Sequence, residues 1–199
     1  NIGRQIGSGG RIIAKKLSEE LNCSFYDREL LNLAALESGF SETFFEQADE
    51  HKGFFKSLLN IHVPLIGDSN FYKNDLSQES LYKFQSDAIR KAAEQDSCVF
   101  VGRCADYILR DHPRCANVFV SASPEARIER LMKLHHISAE DAEDLMEKAD
   151  KKRSSYYNYY SYKTWGAAAT YHLCIDSSVL GIDGTVEFIK NFVKLKLHL

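Results

Sequence analysis

The chain has 199 residues, of which 44% are hydrophobic and 27% are charged, and its net charge is −3. A chain of this length and balance predicts one domain with a sizeable core. The net charge supplies no overall basic field, which argues against a nucleic-acid partner, and no apolar run approaches the roughly 18 residues of a spanning helix, which argues against a membrane partner.

Metal ligands and disulfides are also not indicated. The number of cysteines is odd, none is spaced as C-x-x-C, and the histidines do not cluster with carboxylates. This pattern favours free thiols in a reducing cytoplasm over a disulfide framework or a zinc site. We therefore expect a cytoplasmic location and no side-chain metal cluster.

The first motif is the glycine-rich stretch 3–11, which follows a short apolar run. An amphipathic helix comes next, since Ile13, Leu17 and Leu21 recur every fourth residue. A strand, a glycine-rich turn and a helix can hold phosphates, because glycines let the backbone curl around an anion that the helix N-terminal amides face. The alternative is a plain strand-to-helix turn that requires glycine. The predicted anion-binding residues are Gly7, Ser8, Gly9, Gly10 and Arg11.

The stretch departs from the phosphate-loop pattern G-x-x-x-x-G-K-[ST]. In that pattern the lysine reaches the outer phosphates and the hydroxyl holds magnesium. In the matching frame, which starts at Arg4, Gly10 stands at the lysine position and Arg11 at the hydroxyl position. Arg11, or Arg4, would therefore have to supply the missing positive charge.

Asp27 and Arg28 follow a short strand predicted over 23–26. Asp27 has two interpretations: a helix N-cap, or together with Arg28 a substrate contact at the carboxyl end of a strand. The next helix is predicted to end near Gly39, with short helices around 42–50 and 54–60. Aromatic residues of this looser segment either stack on a base or form a small satellite core.

A helix predicted over 78–95 leads into the continuous apolar run 98–101, typical of a strand covered on both faces. Gly102 and Arg103 follow at its end. A guanidinium there can bind a phosphate through two parallel hydrogen bonds, and the alternative is an ordinary surface charge.

The fourth strand is predicted over 117–120, and the two helices that follow it carry further arginines. Ser123 is expected to cap the first helix and Ser138 the second. Arg127 and Arg130 are three residues apart and share one side, and the basic end of the second helix holds Arg153. These arginines either cover transferring phosphates or face solvent.

The tyrosine-rich segment 154–162 is interpreted as a helix end packed on the body or as a dimer contact. A fifth strand is predicted over 171–176, then a loop over 177–181 and a final helix opened by Asp183 or Gly184. Alternating strands and helices indicate the α/β class, with a parallel sheet covered by helices on both faces.

Four segments in this order resemble the cytidylate-kinase-like family of P-loop nucleoside monophosphate kinases. They are the loop Gly-Ser-Gly-Gly-Arg, Phe25–Leu31, Val99–Arg103 and Ala126–Leu131. The resemblance implies a three-layer P-loop kinase fold, a five-stranded sheet of order 2-3-1-4-5, and a helical lid. It also implies a single domain over 1–199, with an acceptor-binding insert at about 40–76 and the lid at about 124–162.

The resemblance further implies a transferase that moves the terminal phosphoryl of ATP to a small acceptor, with CMP as the expected nucleoside monophosphate. Mg²⁺ is expected although its usual hydroxyl ligand is absent. The alternative is a nucleotide-binding regulatory protein with little or no activity. Small-molecule nucleotides are the expected partners, and a homodimer is a further expectation. The implied catalytic residues are Arg11, Arg127 and Arg130, and the implied substrate-binding residues are Asp27, Arg28, Arg103 and Arg153.

Overall fold

The computed structural model describes residues 1–28 and 75–199. The chain divides into two units, Asn1–Arg28 with Ile89–Leu199 and Glu29–Ala88. Of the second unit only 75–88, part of one helix, is described. The helices predicted near 30–39, 42–50 and 54–60 and most of the predicted insert lie outside the described residues, and the single domain stays a prediction.

Strands and helices alternate along the described chain, as the sequence predicts. Most bounds agree with the predicted ones within two or three residues, because the apolar runs and caps are local signals. The elements are β1 (Ile2–Arg4), α1 (Gly10–Glu20), β2 (Ser24–Tyr26), α2 (Asp75–Gln95), β3 (Cys98–Phe100), α3 (Ala105–Ile108), β4 (Val118–Ser121), α4 (Pro124–His135), α5 (Ala139–Ser161), a 3-10 helix (Ala168–Thr170), β5 (Leu173–Asp176) and α6 (Ser177–Leu197).

All strand pairs in the described part of the chain are parallel, which confirms the α/β prediction. They form a three-stranded sheet of order β1-β4-β5 and a two-stranded sheet of β2 with β3. An isolated parallel bridge joins Ile2 to Val101, where the amide of Gly102 donates to the carbonyl of Ile2 at 3.0 Å. The predicted single sheet of order 2-3-1-4-5 is not confirmed, because among the described residues only this bridge connects the two groups of strands.

The main core of the first unit lies between α1, the strands and α6. Ile13, Ala14 and Leu17 project from one face of α1, as their spacing predicts. The strands contribute β-branched side chains, which suit a sheet covered on both faces. The remaining buried members are Ile2, Val99, Val101, Val118, Val120, Val186 and Ile189.

A second, smaller core holds α4 and α5, the two helices predicted as a lid. Leu131 and Ala142 are buried against Ile6 of the glycine-rich loop. The hydroxyls of Ser123 and Ser138 accept amides at 3.2 and 3.1 Å, which confirms both predicted N-caps. The loop and the lid helices therefore share one set of apolar contacts.

The start of α6 differs from the prediction of a loop over 177–181. The helix begins at Ser177 because the carboxylate of Asp176 caps it, accepting the amide of Ser178 at 2.8 Å. Gly181 then interrupts the helix with φ +66° and ψ 179°. The helical turn before Gly181 is too short to show an apolar period.

None of the described helices is both long and apolar enough to cross a bilayer. All five cysteines are free, as predicted.

Candidate phosphate-binding site

The glycine-rich loop between β1 and α1 has a fixed shape. Gly7 and Gly9 have φ of +74° and +78°, and Gly9 precedes the helix as its N-cap residue. The buried hydroxyl of Ser8 donates to the carbonyl of Gln5 at 2.8 Å and accepts the amide of Gly10 at 3.3 Å. Glycine is needed at 7 and 9 because side chains are strained at these angles.

Three backbone amides at the start of α1 have no hydrogen-bond acceptor among the described residues. Across residues 1–28 and 75–199, no hydrogen-bond acceptor faces the amides of Gly9, Arg11 or Ile12. Earlier in the loop, by contrast, Gln5 donates to the carbonyl of Val120 at 3.1 Å. Unpaired amides at a helix N-terminus favour an anion, with the helix dipole adding to the attraction. The loop therefore fits a phosphate group.

Arg127 and Asp150 connect the loop to the lid helices. The Arg127 Nε donates to the carbonyl of Ile6 at 2.7 Å, and its Nη2 pairs with Asp150. Asp150 also accepts the amide of Ile6 at 2.9 Å. Both side chains are largely buried, with 8% and 16% exposed. Arg127 is thus bound to protein groups in this structure, and its predicted catalytic role stays a prediction.

Arg130 is the predicted lid arginine that lies directly over the loop. Its Nη1 donates to the carbonyl of Gly7. The same atom lies 3.5 Å from the place that a Cβ on Gly9 would occupy. A guanidinium in this position can meet an anion held by the loop amides.

Arg11 and Asp27, predicted at separate subsites, pair with each other. The Arg11 Nη2 and Nε lie 2.6 and 2.9 Å from Oδ2 of Asp27. The Asp27 carboxylate is buried, whereas the Arg11 side chain is 62% exposed. The ion pair draws the Arg11 guanidinium toward the end of β2.

The backbone turns sharply after β3, at the predicted acceptor contact. Gly102, Arg103 and Cys104 have φ of +74°, +55° and +56° in succession. Two consecutive non-glycine residues in the left-handed region are costly, and such strain concentrates at functional sites. The Arg103 guanidinium lies 5.0 Å from the ring centroid of Tyr156 on α5. The turn and this cation–π contact together fix the direction of the arginine.

Four arginines gather near the carboxyl ends of β1, β2 and β3. Arg153 of α5 donates to the carbonyl of Arg4 at 3.4 Å and lies 3.7 Å from Asp150. Burial and the positive charges of Arg153, Arg103 and Arg28 lower the pKa of Arg4 to about 9. Burial also lowers the pKa of Arg153. Arg28 and Arg103, both predicted to bind substrate, thus belong to one basic cluster with Arg4 and Arg153.

The Mg²⁺ that the sequence analysis expects stays a prediction, because the described residues offer no ready set of protein ligands for it. They contain no group of three His, Cys, Asp or Glu side chains that could hold a metal ion. The loop hydroxyl, Ser8, is occupied by backbone groups. The nearby carboxylates of Asp27 and Asp150 are paired with arginines. No protein ligand is therefore assigned to Mg²⁺.

Two site residues escaped the sequence analysis. Asp150 is not among the predicted site residues. Ser177, whose hydroxyl donates to the carbonyl of Ser8 at 2.6 Å, was predicted to lie in a loop. Both act on the loop across more than 140 residues of chain. Arg4 was weighed only as an alternative to Arg11. The spacing that reveals a helix face carries no information on such distant contacts.

Comparison with known proteins agrees with this fold. A crystal structure of an uncharacterized protein from Eubacterium ventriosum is 28% identical, with a TM-score of 0.74, over 97% of this chain and 96% of that one. Shikimate kinase from Bacteroides thetaiotaomicron is 15% identical, with a TM-score of 0.51, over 97% and 96%. No curated protein sequence matches. The profile of the cytidylate kinase-like family matches residues 1–179. The chain therefore belongs to the cytidylate kinase-like family.

Proposed function

We propose that this protein transfers the terminal phosphoryl group of ATP to a small acceptor, with CMP as the expected acceptor. Membership of the cytidylate kinase-like family supports a kinase-like, nucleotide-binding phosphotransferase. The observation that carries the proposal is that the backbone amides of Gly9, Arg11 and Ile12 have no hydrogen-bond acceptor among the described residues. These amides belong to the same unit as the basic cluster of arginines.

The loop amides hold the donor phosphates, and Arg130 contacts them from the lid. Arg103, Arg28 and Arg153 hold the acceptor phosphate. In the reaction the bond from the γ-phosphorus to its bridging oxygen breaks, and a bond to an acceptor phosphate oxygen forms as ADP leaves. That oxygen is already anionic, so the residues contribute position and positive charge. Mg²⁺, when bound, would neutralise donor phosphate charge.

The proposal extends to features of the fold that the cluster requires. A single sheet of order 2-3-1-4-5 would place β3 beside β1 and so bring Arg103 next to the loop. The bridge between Ile2 and Val101 supports this order. A cytoplasmic location, one domain and a homodimer stay predictions.

A second candidate is a nucleotide-binding regulatory protein with little or no transfer activity. The exchange of the motif lysine for Gly10 and of its hydroxyl for Arg11 favours it. So does the lack of a three-ligand metal group in the described parts of the chain. Neither feature prevents ATP binding at the loop amides.

An ADP-release assay against a panel of nucleoside monophosphates, paired with thermal unfolding in ATP with and without Mg²⁺, separates the two candidates. Turnover that is fastest with CMP supports the kinase. A rise in melting temperature with ATP but no turnover supports the regulatory protein. A protein that neither turns over nor responds to ATP contradicts both.

A further inference from the structure

The side chain of Arg4 fills the space where a lysine at position 10 would begin. A Cβ added to Gly10 would lie 2.5 Å from the Arg4 Cβ and 3.0 Å from its Cγ. Real Cβ atoms do not approach other atoms so closely, so position 10 must be glycine while Arg4 is present. In the phosphate-loop pattern the occupancy is reversed, with glycine at the frame position of Arg4 and lysine at that of Gly10.

The guanidinium of Arg4 extends from the loop toward the end of β3. A Cβ on Gly102 would overlap its Nη1, so Arg4 passes against the residue that precedes Arg103. Gly102 has φ +74° and thus suits glycine for a second reason. The cationic group of Arg4 therefore lies between the open amides of α1 and the predicted acceptor contact.

Arg4 also lacks the protein partner that Arg11 has. Within residues 1–28 and 75–199 no hydrogen bond or ion pair engages the Arg4 guanidinium. The Arg11 guanidinium is bound to the buried Asp27 carboxylate through two nitrogens. Burial and three cationic neighbours lower the pKa of Arg4, and the one opposing charge, that of Asp27, is bound to Arg11. A partly buried cation in these surroundings is unfavourable unless a further anion joins it.

We propose that Arg4, rather than Arg11, supplies the positive charge that the missing lysine would give, and places it between the donor phosphates and the acceptor phosphate. This inference rests on the proposed binding of ATP at the loop. Relative to the phosphate-loop pattern, the glycine and the cation have exchanged positions: here the cation is at position 4, at the end of β1, and the glycine is at position 10, at the start of α1. We call this arrangement the exchange.

The exchange is tested first by stability, without any ligand. We expect Gly10→Ala to lower the melting temperature, because its Cβ meets the Arg4 stem. Arg4→Gly removes that stem, so Gly10→Ala in this background should cost less than in the wild-type protein. Equal losses in the two backgrounds would overturn the exchange. Arg110→Ala, which removes an exposed arginine beside Tyr107, controls for general loss of charge.

The ligand test uses calorimetric ATP binding together with ADP-release kinetics. We expect Arg4→Ala to weaken ATP binding about tenfold and to lower kcat about 10²-fold, because removing one donor that stabilises transition-state charge has an effect of that size on kcat. Arg4→Lys should recover part of both. Arg4→Gly/Gly10→Lys, which restores the usual arrangement, should bind ATP more tightly than Arg4→Gly. Circular dichroism verifies that each variant is folded.

The outcomes separate this inference from the proposed function. If the wild-type protein binds ATP and Arg4→Ala binds it equally well, the role of Arg4 is overturned and the function stands. If Arg11→Ala loses as much as Arg4→Ala or more, the assignment to Arg4 is also overturned. If the wild-type protein binds no ATP, the proposed function fails and the inference fails with it.

Discussion

Asp150 is the residue on which the loop and the lid both depend. It pairs with Arg127, whose guanidinium also holds the carbonyl of Ile6, and it accepts the amide of Ile6. Removing the carboxylate leaves a buried guanidinium without its counter-charge and a backbone amide without an acceptor. A structural carboxylate, not a substrate ligand, best accounts for these contacts.

We expect Asp150→Ala to lower the free energy of unfolding by about 3–5 kcal/mol, as for other buried pairs that lose one partner. Urea unfolding monitored by circular dichroism measures this. Glu129→Ala is the matched control, because it breaks an ion pair with Lys133 whose side chains are 67% and 74% exposed. Exposed pairs contribute little. Losses of equal size for the two variants would contradict the structural role.

Asp106 predicts a pH dependence of stability. Its carboxylate is buried and accepts the hydroxyl of Tyr157 at 2.5 Å. Burial raises the pKa of Asp106, although the Tyr157 hydroxyl and the charge of Lys163 act the other way. The folded state therefore favours the protonated acid. This contribution to stability is fully present below the ordinary pKa of about 3.9 and is lost as the pH rises through the higher value of the folded state.

Asp106→Asn should consequently gain stability relative to the wild-type protein as the pH rises from acid to neutral, because the amide cannot ionise. Thermal unfolding of both proteins between about pH 4 and 7 measures the difference. Asp111→Asn, at an exposed carboxylate five residues on, should show no such trend. If the difference in melting temperature between Asp106→Asn and the wild-type protein stays constant or shrinks with rising pH, the carboxylate is well solvated or fully paired.

Among the elements, α6 shows where local sequence signals succeed and where they do not. The apolar spacing after Gly184 predicts its second part, but the turn at Ser177 rests on a cap at Asp176 and on the distant bond to Ser8. The N-caps Ser123 and Ser138 and the stripe of α1 were predictable because their partners lie within four residues. Asp150, Ser177 and the contact of Arg4 with Gly102 were not, because chain folding brings those partners together.

Gly181 should be the least replaceable residue of α6. Its φ of +66° and ψ of 179° lie in a region that essentially only glycine occupies. Because Ile182, the next residue, packs against Gly9, and because Ser177 holds Ser8, the break positions both loop contacts. A straight helix would move one of them away.

We expect Gly181→Ala to destabilise the protein by about 1–3 kcal/mol and to weaken ATP binding. Gly184→Ala is the control in the same helix: its backbone is helical, and its Cβ would lie 3.2 Å from that of the partly exposed Leu180. Alanine is favoured over glycine in a helix, so the free energy of unfolding of this variant should be close to or above that of the wild-type protein. Chemical denaturation gives both values. Equal changes in the free energy of unfolding for the two variants would mean that the break at Gly181 does not contribute to stability.

On the scale of the first unit, two apolar cores meet at the glycine-rich loop. Ile2 before the loop and Ile13 after it belong to the main core, whereas Ile6 within it belongs to the lid core with Leu131 and Ala142. The loop amides are therefore held in place from both sides. If packing of the lid core favours the ordered loop that binds ATP, then ATP binding in turn stabilises the lid core, because the coupling between the two is reciprocal.

Cavities in the two cores should thus have different effects on binding. Leu131→Ala and Ile189→Ala each remove a fully buried aliphatic side chain and should each cost about 2–5 kcal/mol of stability. Only Leu131→Ala loosens the packing around Ile6, so only that variant should also weaken ATP binding, by about threefold or more. Calorimetric titration at a temperature where both variants are folded measures this. Equal affinities would mean that the main core alone sets the loop, since the lid core would then carry stability without shaping the amides that face the phosphates.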